Sequence, residues 1–269
     1  MTAMNAELKL FALGTAGVTL VLAALLVTVY GAETGRVLQA LAARTPLLLS
    51  GSPDFSRFEG GFAANIVISI WAMMIAAVAG TALGIGMISQ SLLVRAPSVL
   101  LMNVLRNSPW LVVLYAMLYL LPFEIEAFGT IFSFSPVIKA IIGLALPVTA
   151  NIAEVFRGGV EAVPTGQWES ARSLGYRRLQ ILRRVVVPQA IQFMTPNLMT
   201  TYAMLFIGTS LVVVTGANDI LSVARTVIAS DGAHYATAIY LYVLFLFFLF
   251  CFPIAILTRW LEQRVRVRQ

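Results

Sequence analysis

Charge-free stretches constrain this chain more than any other feature. Residues 10–32, 60–94, 107–123, 140–153, 185–218 and 232–258 contain no Asp, Glu, Lys or Arg. A helix needs about 20 apolar residues to cross the hydrocarbon core of a bilayer, so four of these stretches suffice alone. The third and fourth reach that length only by taking in charge. One span is expected at about 98–121, beginning after Pro97 and accepting Arg106, and the other at about 137–157, beginning at Pro136. The last two are expected at about 193–215 and 236–257. Of the 269 residues 59% are apolar and only 11% charged, against about 25% charged in ordinary globular chains. That is too little polar material to coat a domain in water, and the sequence predicts an all-α integral membrane protein with about six transmembrane helices.

The first stretch follows Lys9, as a signal peptide would. Leu10 to Tyr30 is longer than the roughly 7–15 residues of a signal core, and no small-x-small cleavage site follows, so a retained helix is expected. With six spans both termini share a face, which collects thirteen of the eighteen Lys and Arg residues. The other face receives Arg36, Arg44, Arg57, Lys139 and Arg225. Because Lys and Arg accumulate in cytoplasmic loops, both termini are expected in the cytoplasm. The formal charge of +6 then follows from topology, and no nucleic-acid partner is required. Cys251 reads as a small membrane hydrophobe, and a single histidine, His234, excludes multi-histidine metal sites.

Outside the membrane, residues 32–61, 122–136 and 216–235 are expected on the outer face, with a short interfacial helix at Val37 to Leu49. The cytoplasmic stretch 158–190 is richer. Thr165 can cap a helix after Pro164, and Trp168, Ala171 and Leu174 share one face of it. Gly175 suits a left-handed stop, and a second helix can run from Tyr176 to Val187 until Pro188 breaks it. Such a unit presses into a groove on a partner, with Trp168 and Leu174 as anchors and arginines at the rim. Alternatively it lies on anionic lipid through Arg177, Arg178, Arg183 and Arg184.

Spacing favours the partner. Glu169-Ser170-Ala171, with Gly175 six residues, Val185 sixteen, Val187 eighteen and Pro188 nineteen residues after Glu169, resembles the EAA loop of bacterial ABC importer membrane subunits. Ser170, Val185 and Val187 replace the usual Ala, Ile and Leu. From about residue 60 to 268 the chain is similar to permeases of the polar amino acid group, the histidine and glutamine permeases. The segments carrying this are AEVFRGGVEAVPTGQWESARSLG at Ala153 to Gly175, LRNSPWLV at Leu105 to Val112, TSLVVVTG at Thr209 to Gly216 and RWLEQRVR at Arg259 to Arg266. The resemblance implies a five-helix importer core at 62–258, with the first helix and external loop at 1–61 as an addition and 259–269 as a basic tail.

It further implies a bacterial inner-membrane permease subunit for amino acids that performs no covalent chemistry. Trp168, Glu169, Ser170, Ala171, Arg172, Leu174 and Gly175 would couple it to a dimer of ATPase subunits, with Glu169 as a polar contact, Ala171 allowing close approach and Gly175 supplying the turn. The remaining partners would be a second permease subunit, identical or related, and a periplasmic or extracellular substrate-binding protein. No cofactor is expected on the chain itself, ATP and Mg being held by the ATPase. The residues agree: a phosphate-binding P-loop needs GxxxxGK[ST], and the only lysines, Lys9 and Lys139, are followed by Leu10 and Ala140. The competing reading is a self-sufficient secondary transporter or channel with a regulatory loop.

Polar residues at membrane depth mark the candidate substrate path. Asn151, Glu154 and Arg157 fall within reach of one another on a helix, as an inner gate or zwitterion contact, or as an ion pair anchoring the helix at the interface. Arg106, Asn107 and Ser108 precede Pro109, where a broken backbone exposes carbonyls to a cavity or simply enters a helix. Thr209 and Ser210 line the path or bond back to their own helix. Importers of this group often carry a Lys-Asp or Lys-Asn pair before the TSL segment; Ile207 and Gly208 stand there instead. Gly80, Gly84 and Gly86 permit close helix packing, within the chain or between subunits.

Overall fold

The computed structural model describes residues 2–56, 58, 60–127 and 130–266. Arg57 and Arg268, both in the charge count, lie outside the described residues. The chain is nearly all helical: α1 Thr2–Tyr30, α2 Thr34–Ser50, α3 Gly61–Met87, α4 Leu92–Asn107, α5 Trp110–Leu120, α6 Pro136–Glu161, α7 Thr165–Ser173, α8 Arg178–Ile181, α9 Val187–Gly208, α10 Ile220–Asp231 and α11 Ala236–Arg266. One antiparallel hairpin, β1 Glu124–Ala127 with β2 Thr130–Ser133, joins α5 to α6 and pairs Glu124 with Ser133; the all-α expectation omitted it. Five of the helical stretches are long and apolar enough to cross a membrane, and α4 with α5 makes a sixth if counted together.

Packing at glycines decides that count. A Cβ on Gly80 would come within 2.7 Å of Ile152 Cβ and the Thr149 carbonyl oxygen, and one on Gly84 within 2.9 Å of Phe156 Cβ and 3.0 Å of the Ala153 oxygen. As α3 advances by one turn its neighbours on α6 advance by one turn, so the two helices run parallel. Parallel crossings by successive spans require a return between them, and the bent pair provides it. α5 runs antiparallel to α6, with Leu114 against Gly143 and the carbonyls of Leu118 and Leu121 against Lys139.

The third span was expected as a continuous helix from Pro97. Instead α4 begins at Leu92, Pro97 lies inside it, and the axis turns by 100° between Asn107 and Trp110. The turn has a local cause: Pro109 has no N–H to continue the ladder and forces Ser108 into extended backbone. Pro97 is tolerated because the carbonyl it orphans belongs to Leu93, which is 89% exposed. At about 1.5 Å per residue, α5 alone is about 16 Å long and spans only part of the apolar layer.

Among the described residues the core forms a small cluster of Met87, Met102, Ala150 and Ala153 and three larger ones. One holds Tyr30, Val37, Leu41 and Leu48 of the first two helices against Phe206, Ile220, Val223 and Ile239. The next packs Ile68, Ala72 and Ala76 on Leu114, Leu144 and Val148. The last gathers Phe156, Val160, Ala171, Ile181, Ala190 and Met194. The Tyr30 hydroxyl donates to the His234 carbonyl (2.8 Å) and accepts from the Ala238 amide, whereas Phe11 stacks on Phe252. α1 and α11 are therefore antiparallel, and the start of α1 and the end of α11 share the end of the bundle that carries α7. α11 continues to Arg266, so the expected basic tail is largely helical.

Lys139, read as an outer-face charge, is fully buried. Its ammonium donates to the carbonyls of Leu121 (2.6 Å) and Leu118 (3.1 Å) and sits 3.5 Å from the Phe123 ring centroid. A cation here meets the carbonyls that the end of α5 leaves unpaired.

Gly80→Val should lower thermal stability in detergent by about 1–3 kcal/mol through overpacking. Gly166→Ala, where a Cβ meets nothing within 4 Å, should leave it unchanged. Equal unfolding temperatures for the two variants would contradict the α3–α6 contact.

Candidate functional site

Eight polar residues were expected to mark a path, and the structure separates them into two groups at opposite ends of the bundle. At the α7 end, the last turns of α6 set Glu154, Arg157 and Glu161 on one side. Arg157 Nη2 and Nε donate to Glu154 at 2.5 and 3.1 Å, and Nη1 donates to both Glu161 oxygens at 2.7 and 2.8 Å. From α4, Arg106 approaches Glu154 to 3.9 Å. Asn151 is half-buried one turn earlier on α6. Asn107 and Ser108 do not face this cluster with their polar atoms; they donate back to the carbonyls of Asn103 and Val104, both at 2.7 Å. The α4–α5 break beside them is the broken backbone the sequence suggested. Glu161, absent from the expected set, was visible as an i, i+4 partner of Arg157.

At the other end Thr209 is fully buried. It accepts from Asn65 Nδ2 (3.0 Å) and donates to the Phe206 carbonyl (2.6 Å). Asn65 Oδ1 in turn accepts from the Ile220 amide at 3.0 Å. Next to it Asp219, also fully buried, caps α10 by accepting from the amide and hydroxyl of Ser222 and the amide of Leu221. Burial pushes the Asp219 carboxyl upward, while the Ser222 and Leu221 bonds pull it down. Gly61 donates to the Asn218 carbonyl (2.9 Å), so α3, the 3-10 segment Thr209–Thr215 and α10 meet in one knot. Two signals for it were in the sequence: a lone Asn inside a charge-free stretch, and Asp-x-x-Ser before an apolar run. Ser210 lies apart, in an apolar groove with Ile207, Tyr240, Leu244 and Phe248.

A strap completes this end. Arg44 of α2 forms a two-bond pair with Asp231, Nε to Oδ2 at 2.8 Å and Nη2 to Oδ1 at 2.5 Å, and holds that carboxyl below its ordinary range. α2 covers Thr34–Ser50 and contains the expected interfacial helix.

The hairpin after α6 is folded, with changes in detail. Pro164 occupies the N-cap position, and Thr165 is the first helical residue rather than a side-chain cap. Gly175 has φ +80°; its amide donates to the Arg172 carbonyl and that of Tyr176 to Ala171, the paired bonds of a Schellman stop. Pro188 ends nothing. The backbone widens to a π turn at Leu182–Val186 and continues into α9, with Pro188 in its first turn, where a missing N–H is tolerated.

The apolar face of α7 turns inward. Ala171 is buried and Trp168 half-buried against the cluster of Phe156, Val160 and Ile181, with the Arg178 guanidinium 5.9 Å from the Trp168 ring and donating to the Ile88 carbonyl (3.0 Å). Trp168 and Ala171 therefore bolt the hairpin to its own chain. Leu174 and Leu179, 76% and 74% exposed, project outward with Glu169, Ser170 and Arg172 exposed beside them.

Comparison with known proteins matches residues 75–267 to the family described as binding-protein-dependent transport system inner membrane component. The glutamate/glutamine/aspartate/asparagine transport system permease protein BztC of Rhodobacter capsulatus is 33% identical over 254 residues, 94% of this chain and 57% of its own length. The inner membrane amino-acid ABC transporter permease protein YhdY of Escherichia coli is 33% identical over 242 residues, 86% of this chain and 65% of its own. The chain thus spans about three fifths of these relatives. A crystal structure of an amino acid ABC transporter with histidines shares the fold at TM-score 0.69 and 23% identity, covering 84% of this chain and 97% of the other.

Asp219→Ala should cost about 1 kcal/mol through loss of the cap, whereas Asp219→Asn retains an acceptor and should cost a few tenths. A carboxyl raised on folding stabilises the folded chain fully below its unfolded value, near 3.9, and loses that contribution as pH rises through the folded value. Wild type should accordingly lose stability relative to Asp219→Asn as pH rises from 3 to 7, read as diverging unfolding temperatures. Parallel curves would contradict the burial penalty.

Proposed function

The chain belongs to the family of binding-protein-dependent transport system inner membrane components, and on that premise we propose that it is the permease subunit of an ATP-driven amino acid importer. It is a multi-pass inner-membrane protein, and its named relatives are permease proteins of amino acid transport systems. In this reading residues 62–258 form the importer core, 1–61 an added helix and outer strap, and 259–269 a basic tail. A substrate-binding protein outside the membrane delivers an amino acid to the outer end, and two permease subunits enclose the path. A dimer of ATPase subunits, holding ATP and Mg, docks at the α7 end in the cytoplasm.

The observation that carries this reading is the α7–α8 hairpin. It is too firmly packed to be a passive loop, because Trp168, Ala171 and Ile181 share one cluster with α6 and α9. It nevertheless leaves two leucines almost uncovered in a setting of exposed arginines. An apolar centre with a charged rim is the composition of a protein contact. Its attachment is equally specific: the hairpin continues without interruption into α9, so a displacement imposed on it moves a membrane helix. Glu169, Ser170, Arg172, Leu174 and Gly175 supply the contact and turn, and Trp168 with Ala171 transmit the load inward.

Transport then needs no covalent step in this chain. Nucleotide-driven closure of the ATPases favours one of two arrangements of the bundle, and its release favours the other. At the inner end Arg106, Glu154 and Arg157, with Asn107, Ser108 and Asn151 beside the elbow, line the exit; Thr209 holds the outer knot and Ser210 borders the outer groove.

Proteoliposomes holding the permease with its ATPase and binding protein should take up amino acid only with ATP, and the permease alone should take up none. Gradient-driven uptake by the permease alone would establish a secondary transporter instead. Leu174→Asp with Leu179→Asp should reduce ATP-driven uptake at least tenfold while leaving membrane insertion and unfolding temperature unchanged. Unaltered uptake in that double variant would overturn the coupling assignment.

A further inference from the structure

Arg95 stands between two cavities at the α7 end of the bundle. One, of about 440 Å³, lies between α4 and α6, where Arg106 and Arg157 face Glu154 and Glu161. The other, of about 470 Å³, lies between the end of α3, the start of α4 and α7, with Gln90, Arg95, Glu161, Trp168 and Arg178 in its wall. Charge in this second cavity is not balanced. Glu161 is its only carboxylate among the described residues, and both of its oxygens accept from Arg157. Arg95 makes no side-chain hydrogen bond or ion pair among the described residues. Arg178 donates to a neutral group, the Ile88 carbonyl at 3.0 Å, with its guanidinium 5.9 Å from the Trp168 ring. Two cations therefore border the cavity with no anion of the chain engaging either.

An apolar trough adjoins it. The trough, of about 390 Å³, shares Ile88, Ser89, Gln90 and Arg178 with the cavity and continues along Ile85, Val94, Leu179 and Leu182. Ile85 is 50% exposed on α3, a helix long and apolar enough to cross a membrane. At about 1.5 Å per residue the 27 residues of α3 extend about 40 Å, beyond the roughly 30 Å of the hydrocarbon core. Its last turn thus meets the boundary between hydrocarbon and headgroups. The Arg178 bond to Ile88, the residue after that turn, sets a guanidinium at this boundary, with the trough opening beside it.

We propose that cavity and trough together hold one anionic phospholipid: its phosphate pairs with Arg178, the charge of Arg95 adds attraction, and an acyl chain lies along Ile85, Val94 and Leu182. Its place in the cytoplasmic leaflet rests on the import reading. Guanidinium binds phosphate through charge-assisted bonds, and basic pockets between membrane helices on the cytoplasmic side suit anionic headgroups. A free phosphate would use the arginines and leave the trough empty. A zwitterionic lipid would bring a cation into the cavity, where the one carboxylate is already engaged. Because Thr165 and Trp168 also line the cavity, the bound headgroup ties the α7–α8 hairpin to the ends of α3 and α4.

Native mass spectrometry of the purified permease, titrated in detergent with dioleoylphosphatidylglycerol or dioleoylphosphatidylcholine, tests this. One phosphatidylglycerol per chain is expected, retained at least fivefold more than phosphatidylcholine and not displaced by inorganic phosphate. Arg95→Gln and Arg178→Gln should each lower its occupancy at least threefold in monodisperse protein, and Arg178→Lys should recover part of the loss. Arg184→Gln, exposed and outside both linings, should leave occupancy unchanged. Equal retention of the two lipids, displacement by phosphate, wild-type occupancy in both cavity variants, or an equal loss in Arg184→Gln would overturn the proposal. ATP-driven uptake that persists without phosphatidylglycerol retention sinks this site alone, whereas retention without ATP-driven uptake sinks the import reading and leaves the site standing.

Discussion

α3 lies against α6 because Gly80 and Gly84 present no side chain at the contact, and Thr149, Ile152, Ala153 and Phe156 fill the space a Cβ would need. Much else follows from that approach. Helices this close gain dispersion contacts along their length, the main attraction available between apolar helices in lipid. Because the pair is parallel, the chain must recross between them, and it does so through the elbow at Ser108 and Pro109. The elbow lays α4 across the α7 end of the pair, which brings Arg106 to Glu154 and Arg95 to the same cavity. A continuous third span would have carried α4 away from this surface.

Breaking a helix in lipid exposes backbone groups that water cannot reach, and the break is tolerated only where other groups take them. Ser108 and Asn107 return their donors to the last carbonyls of α4. Lys139 closes the far end of α5, supplying donors to two carbonyls from a different helix. The same economy governs the knot at the opposite end, where the Asn65 amide satisfies groups from two neighbouring segments at once. No buried side-chain nitrogen or oxygen lacks a partner among the described residues, so these polar groups act as fasteners.

Hydropathy made the spans and their number legible, because a charge-free stretch of about 20 residues has few other stable fates. The hairpin at 165–181 was legible through Gly175, whose left-handed backbone favours glycine. Three features were not. The 100° turn looked like an ordinary proline boundary, since sequence spacing carries no angle. Pro188 looked like a terminator, yet the five-residue π turn before it lets α9 continue. The packing of Trp168 and Ala171 onto α6 and α8 was not legible either, because periodicity shows that a stripe is apolar without showing which surface covers it. Of the candidate path residues, Glu154 and Arg157 came together as the i, i+3 rule requires. The Arg106 contact needed the elbow, and the burial of Thr209 needed Asn65 from a helix 144 residues away.

The two ends of the bundle are built for different mechanical roles. At the Asn65 end α2 is pinned to α10 by Arg44 and Asp231, α10 to α3 through Asn65, and α11 to α1 through Tyr30. These links come from separate stretches of sequence and cross-brace one another, so a single element cannot move there without breaking several bonds. At the α7 end α4 meets α6 through a small apolar cluster of Met102 with Ala150 and Ala153, a 3.9 Å ion pair and a cavity, while the hairpin is continuous with α9. A displacement entering through the hairpin thus meets fewer polar cross-links at the α7 end than at the Asn65 knot. If the importer reading holds, motion imposed at Leu174 and Leu179 is carried first into α9, with which the hairpin is continuous, and the cross-braced knot around Asn65 resists it.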